Sequence, residues 1–193
     1  MARLPYADAE TAPGDVAKAL GRLPELNIFR MLANADTAFV PWLRWGGAIL
    51  SDLELDPLLR ELTILRVAQL TPYAEYEWVQ HVPIAKAVGA TDAQVVALEA
   101  DEIDGDAFSE LERSVLRFTT EVVREVRAGD DTFAAVAAAL SPREIVELLM
   151  VIGNYMFVAR VMATAELEID EPAAELVPDP IELVDRARRE ADG

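Results

Sequence analysis

A chain of 193 residues with 52% hydrophobic content is long enough for one domain with a substantial core and too apolar for general disorder. Its 35 acidic residues against 17 basic ones leave a formal charge of −18, which repels phosphate backbones and anionic membranes, so nucleic acid is not an expected partner. The absence of cysteine removes disulfides, thiolate metal sites and cysteine nucleophiles together, and fits a reducing compartment.

The N-terminal MARLPYADAETAPGD has no apolar signal-peptide core and is expected to form an arm outside the core. Leu26 to Ala33 and Thr37 to Leu50 read as amphipathic helices, the second carrying Pro41, Trp42, Trp45 and a Gly46-Gly47 pair. Pro41 suits a first turn or a kink. Asp56-Pro57 is an N-cap followed by proline at the first helical position, opening a helix through about Gln69. Thr71-Pro72 repeats the device, and that helix is expected to end near Gly89.

Thr91 with Gln94, Ser109 with Glu112 and Ser141 with Glu144 have capping-box spacing, in which side chains satisfy the orphan amides of a first turn. The first of these helices is short and the second runs toward Gly129. A short bridge follows from about Thr132 to Leu140. The third helix, through Ile145, Leu148, Leu149, Ile152 and Met156, has the apolar excess of a central element. The hydrophobic run from Ile145 to Leu167 is interrupted by Glu147, Asn154, Arg160 and Glu166, so no membrane span is expected.

The stretch from Glu171 to Gly193 holds three prolines and then IELVDRARRE, a candidate docking helix. Ala, Leu and Glu dominate and alternating β-branched runs are scarce, so the expected class is all-α. One cytoplasmic domain over residues 1–193 is expected, with its core at about 27–169, an N-terminal arm and a tail over 170–193.

The chemistry concentrates between Leu59 and Leu98. Residues four apart share a helix face, so Glu77 and His81 are neighbours, and the short Leu70-Thr71 connection brings Glu61 on the preceding helix toward the same place. A histidine with an ordinary pKa near ~6.5 gives or takes a proton at neutral pH, and a carboxylate can orient it. His81 is the only histidine, so no other imidazole can do this work. An exposed Glu–His pair at this spacing contributes only ~0.2–0.5 kcal/mol and needs no chemistry, so a purely structural pair is the competing reading.

Tyr73 and Trp78 are candidates for the wall of a substrate pocket, although aromatics at helical spacing more often anchor a core. An acid-binding pocket on so anionic a chain needs a local cation, and Arg66 is a candidate for that role. Tyr155 and Asn154, beside Gly153 on an apolar helix, read more readily as packed polar groups with satisfied hydrogen bonds than as site residues. One histidine cannot supply paired Glu-x-x-His motifs, and Glu77 to His81 has the wrong spacing for them, so no metal is expected.

The segment RELTILRVAQLTPYAEYEWVQHVPIAKAVGATDAQV resembles the core of the carboxymuconolactone decarboxylase family, which shares the AhpD-like helical fold. The resemblance is specific at Arg60-Glu61-Leu62, Glu75-Tyr76-Glu77-Trp78, His81 and Ala87-Val88-Gly89, and more weakly spans about Asn27 to Ile169. It implies an AhpD-like all-α bundle that assembles into trimers or hexamers, and roles for Glu61 and His81 at the family's Glu and His positions. The hydroperoxide-reducing branch carries a Cys-x-x-Cys pair just before the His; here those four residues are Ala74-Glu75-Tyr76-Glu77, so thiol peroxidase chemistry is disfavoured. The decarboxylase branch implies acid–base catalysis without a cofactor on a small carboxylated lactone or related carbonyl compound, with Glu61, Glu77 and His81 as catalytic residues. The competing reading is a small-molecule-binding or assembly protein that keeps the fold without turnover.

Overall fold

The computed structural model describes residues 1–172 of the 193. Among these residues there are helices and no strands, in agreement with the all-α expectation. The IELVDRARRE stretch lies outside the described residues. Backbone contacts define two compact units, one of Met1–Asp52 with the described residues from Val161, the other of Leu53–Arg160.

The first unit holds α1 (Gly14–Leu20), α2 (Asn27–Leu32) and α3 (Asp36–Ser51). Its helices bury Val16, Leu20, Phe39 and Ile49, and Phe29 lies tilted on Trp42 with ring centroids 6.4 Å apart. The N-terminal arm is tied down: the Arg3 amide donates to the Ala165 carbonyl at 2.8 Å, and the Asn27 amide donates to the Asp170 carboxylate at 2.6 Å. This N-terminal segment includes helix α1, which Pro13 opens before Gly14. Pro41 sits inside α3, beyond its first turn.

The second unit contains α4 (Pro57–Leu70), α5 (Glu75–Ala87), α6 (Asp92–Glu99), α7 (Glu110–Glu125), α8 (Asp130–Ala137) and α9 (Pro142–Ala165) as far as Arg160. Asp56 caps α4 as expected, accepting from the amides of Leu58 and Leu59. All three capping boxes form: Thr91 with Gln94 and Ser109 with Glu112, and Ser141 with Glu144, where each side chain accepts the other's amide.

The second proline device does not operate. Thr71 turns its hydroxyl back to the Val67 carbonyl and Tyr73 takes a left-handed φ of 67°, so α5 starts at Glu75 rather than Pro72. Helix α5 ends near Gly89 as expected, with Gly89 at φ 113° and the Ala90 amide donating to the Ala85 carbonyl.

Helix α7 stops at Glu125, short of Gly129, because Val126 adopts φ 71°. A β-branched residue is strained in that region, and Val126 is 88% exposed, so its side chain contributes little packing in return. Val126→Gly is expected to raise stability by about 1 kcal/mol, the order of the left-handed penalty. The check is a higher denaturation midpoint with an unchanged denaturant slope.

Helix α8 also begins earlier than expected, with Asp130 and Asp131 in its first turn, where carboxylates favour a helix N-terminus. On α9 the Glu147 carboxylate accepts the Leu55 amide and the Arg143 guanidinium, both at 2.8 Å. By length and composition α9 is the one described helix able to cross a membrane, and 56% of its apolar window is buried in the fold.

Candidate active site

Helix α4 carries most of the site and is unusual in having no solvent face: every residue from Leu59 to Ala68 is buried. It packs on α5 and α7, around a core that includes Leu62, Leu65, Ala85, Leu98 and Leu116. Burial on all sides forces the polar residues of α4 to find partners inside the protein.

Glu61 is fully buried and divides its two oxygens between partners. Oε1 accepts from Arg60 Nε at 3.0 Å, and Oε2 faces His81 Nδ1 on α5 at 2.8 Å. A carboxylate only accepts, so the ring proton belongs on Nδ1. Nε2 is then the nitrogen left for exchange with another molecule, and it has no hydrogen-bond partner among the described residues. His81 is nearly buried, with 11% of its side chain exposed.

This arrangement revises the part expected of Glu77. Helical spacing makes it the natural orienter of His81, but Glu61 reaches across from α4 and takes that role. Glu77 is 2% exposed, and neither of its carboxyl oxygens has a hydrogen-bond partner among the described residues. Burial, and after it the negative charge of Glu61, holds the Glu77 carboxyl well above the usual carboxylate range. The cluster therefore contains one carboxyl held between Arg60 and His81, and a second whose charged form is disfavoured by burial.

The fifth member is Tyr155 on α9. Its ring meets His81 edge-on, with centroids 4.9 Å apart and planes at 89°. Burial raises the phenol's pKa well above its usual value, as do the charges of Glu61 and Glu77, against a lowering by Arg60. Sequence reading assigned this tyrosine to packing; its only signal there was a polar-tipped aromatic on an apolar central helix.

The three residues expected to bind substrate have other surroundings. Arg66 directs its guanidinium to Thr120 and Gln69, at 2.9 and 2.8 Å, and to Asp101. It lies five residues from Glu61 on a helix, which points the two side chains in different directions. Tyr73 is 84% exposed, and Trp78 packs against the apolar core around Leu62 and Leu98. These placements lend the substrate-binding expectation no support. Among the described residues no group of three or more His, Cys, Asp or Glu side chains is arranged to hold a metal ion.

Residues 38–121 match the model of the Carboxymuconolactone decarboxylase family. No curated protein matches the chain in sequence. Several solved structures resemble it, among them these two. One is an uncharacterized peroxidase-related protein from Ralstonia eutropha with an alkylhydroperoxidase AhpD core; the likeness has a TM-score of 0.74 at 16% identity and covers 97% of this chain and 96% of that one. The other, a protein of unknown function from Agrobacterium tumefaciens whose name refers to AhpD and antioxidant defence, gives 0.65 at 21% identity, over 72% of this chain and 94% of that one. At such identities the likeness is one of fold, and the hydrogen-bonded Glu61 and His81 both lie inside the matched segment. The chain accordingly has an AhpD-like helical fold without cysteine, and its residues 38–121 are similar to the carboxymuconolactone decarboxylase family.

Proposed function

We propose that this protein is an acid–base enzyme that works without thiol or cofactor on a small carboxylated lactone or a related carbonyl compound. The observation that supports it best is the 2.8 Å contact between His81 and Glu61 in a buried cluster that also holds the partnerless carboxyl of Glu77. His81 moves the proton through Nε2. Glu61 fixes the ring and balances its charge when it is protonated, and Glu77, whose protonated form burial favours, is a second acid that can replenish the proton.

In a decarboxylation the bond from the lactone carbon to the carboxylate breaks, and its electron pair delocalises onto the conjugated carbonyl oxygen. Carbon dioxide leaves, and protonated His81 delivers a proton to the carbon as the carbonyl re-forms. The protein's share is to position the substrate, exclude water and supply that proton. The peroxidase-related and antioxidant descriptions of the structural neighbours do not transfer in thiol form, since this chain has no sulfur nucleophile.

The test is a panel of carboxylated lactones and enol-lactones, followed for carbon dioxide release and for solvent deuterium entering the product. Turnover that falls about 10²–10⁴-fold in His81→Asn, the usual range for losing a general acid or base, with helix content and assembly unchanged, is the expected result. Binding without either readout would instead favour a non-catalytic binder of the same fold.

A further inference from the structure

One hydrogen bond does not fix an imidazole. With only Nδ1 held by Glu61, the ring can still rock about that contact, and a displacement of about 1 Å at a reacting atom can cost 10²-fold in rate. The second restraint comes from α9. Tyr155 stands perpendicular to His81 at 4.9 Å, and it is itself immobilised, being 6% exposed on a helix whose Val151, Ile152, Val158 and Ala159 are all buried. Perpendicular aromatic pairs have a defined geometry rather than a sliding contact. Helix α9 lies beyond residues 38–121, so this wall is not part of the matched family segment.

We propose that Tyr155 is the positioning residue of the site: its ring, acting with Glu61, locks His81 in the one orientation that keeps Nδ1 on the carboxylate and Nε2 toward substrate. This rests on the acid–base reading for its purpose, but not for its test. The phenol stays neutral beside Glu61 and Glu77, so the wall adds no charge to the cluster, and it acts through His81 rather than on the substrate.

Because His81 is the only histidine, nitrogen-15 NMR of the full chain reads it without ambiguity. The unmodified protein is expected to show an imidazole with Nδ1 protonated and cross-relaxation between the His81 and Tyr155 ring protons. Tyr155→Phe keeps the ring and is expected to keep that signature. Tyr155→Leu removes the wall and gives tautomer-averaged, exchange-broadened signals. On a lactone that turns over, it lowers kcat about 10–100-fold, the scale of lost orientation, with KM little changed.

Wild-type imidazole signals in Tyr155→Leu, or no His81–Tyr155 cross-relaxation in the unmodified protein, would overturn the proposal. Should Tyr155→Leu not fold, the Phe variant decides: a lost signature there refutes positioning by the ring. The NMR signature with no turnover of any lactone leaves the role of Tyr155 standing and sinks the catalytic reading alone.

Discussion

Glu61→Gln is expected to cost about 3–5 kcal/mol of stability, the range measured when one partner of a buried ion pair is removed. Arg60 and Glu61 are 4% and 0% exposed in their side chains, so the substitution takes a counter-charge away from a guanidinium that water scarcely reaches. Gln has the right shape and can still accept at one atom, so the loss measures charge rather than volume. It also removes the fixed acceptor for His81 Nδ1. Equilibrium denaturation of Glu61→Gln, His81→Asn and the double variant isolates the pair, since contacting residues give coupling energies of about 0.5–3 kcal/mol. Additive effects of the two substitutions would show that the 2.8 Å contact contributes nothing in solution.

Glu77 is expected to behave in the opposite way. Its carboxyl is buried without a hydrogen bond from the described residues, a condition that costs roughly 1–3 kcal/mol by mutational measures. Glu77→Met, which fills similar space without polar atoms, is therefore expected to stabilise the protein by about that amount near neutral pH while impairing turnover. Glu77→Gln isolates the protonation component. Burial holds the folded-state carboxyl well above its ordinary value of 4.5, so above that pH the native protein keeps the proton longer than the unfolded chain does.

Below 4.5 both states hold that proton, and Glu77 adds no pH dependence. From there upward native stability declines, until the folded carboxyl also ionises. Glu77→Gln lacks this component, so its melting temperature should exceed that of the wild type increasingly as pH rises from 4.5. A variant whose melting curve runs parallel to the wild type across that range would mean that Glu77 is an ordinary ionised carboxylate.

Much of the fold was legible because its punctuation is local. Asp56-Pro57, Thr91-to-Gln94, Ser109-to-Glu112 and Ser141-to-Glu144 each satisfy amides within a few residues of themselves, and each operates as spaced. Thr71-Pro72 fails for an equally local reason, since the threonine hydroxyl has a competing acceptor in the helix it ends. The end of α7 falls before Gly129 at a valine in the left-handed region, which carries no sequence signal.

The site was legible as a set of residues and illegible as an arrangement. Spacing four apart made Glu77 the neighbour of His81, but which carboxylate turns toward the ring depends on how α4 packs against α5, a long-range matter. Tyr155 is 74 positions from His81 in sequence, and nothing in either neighbourhood ties them together before the chain has folded.

A helix wrapped on every side, as α4 is from Leu59 to Ala68, has consequences for descent as well as for chemistry. Most helices let half their surface drift, because water tolerates almost any polar substitute. Here no lineage has that freedom: each change is judged by a packed neighbour, and inserting or deleting one residue would swing everything beyond it through about 100° of helical rotation. The interior of this helix should therefore diverge slowly and by compensated pairs, while novelty accumulates on the elements around it.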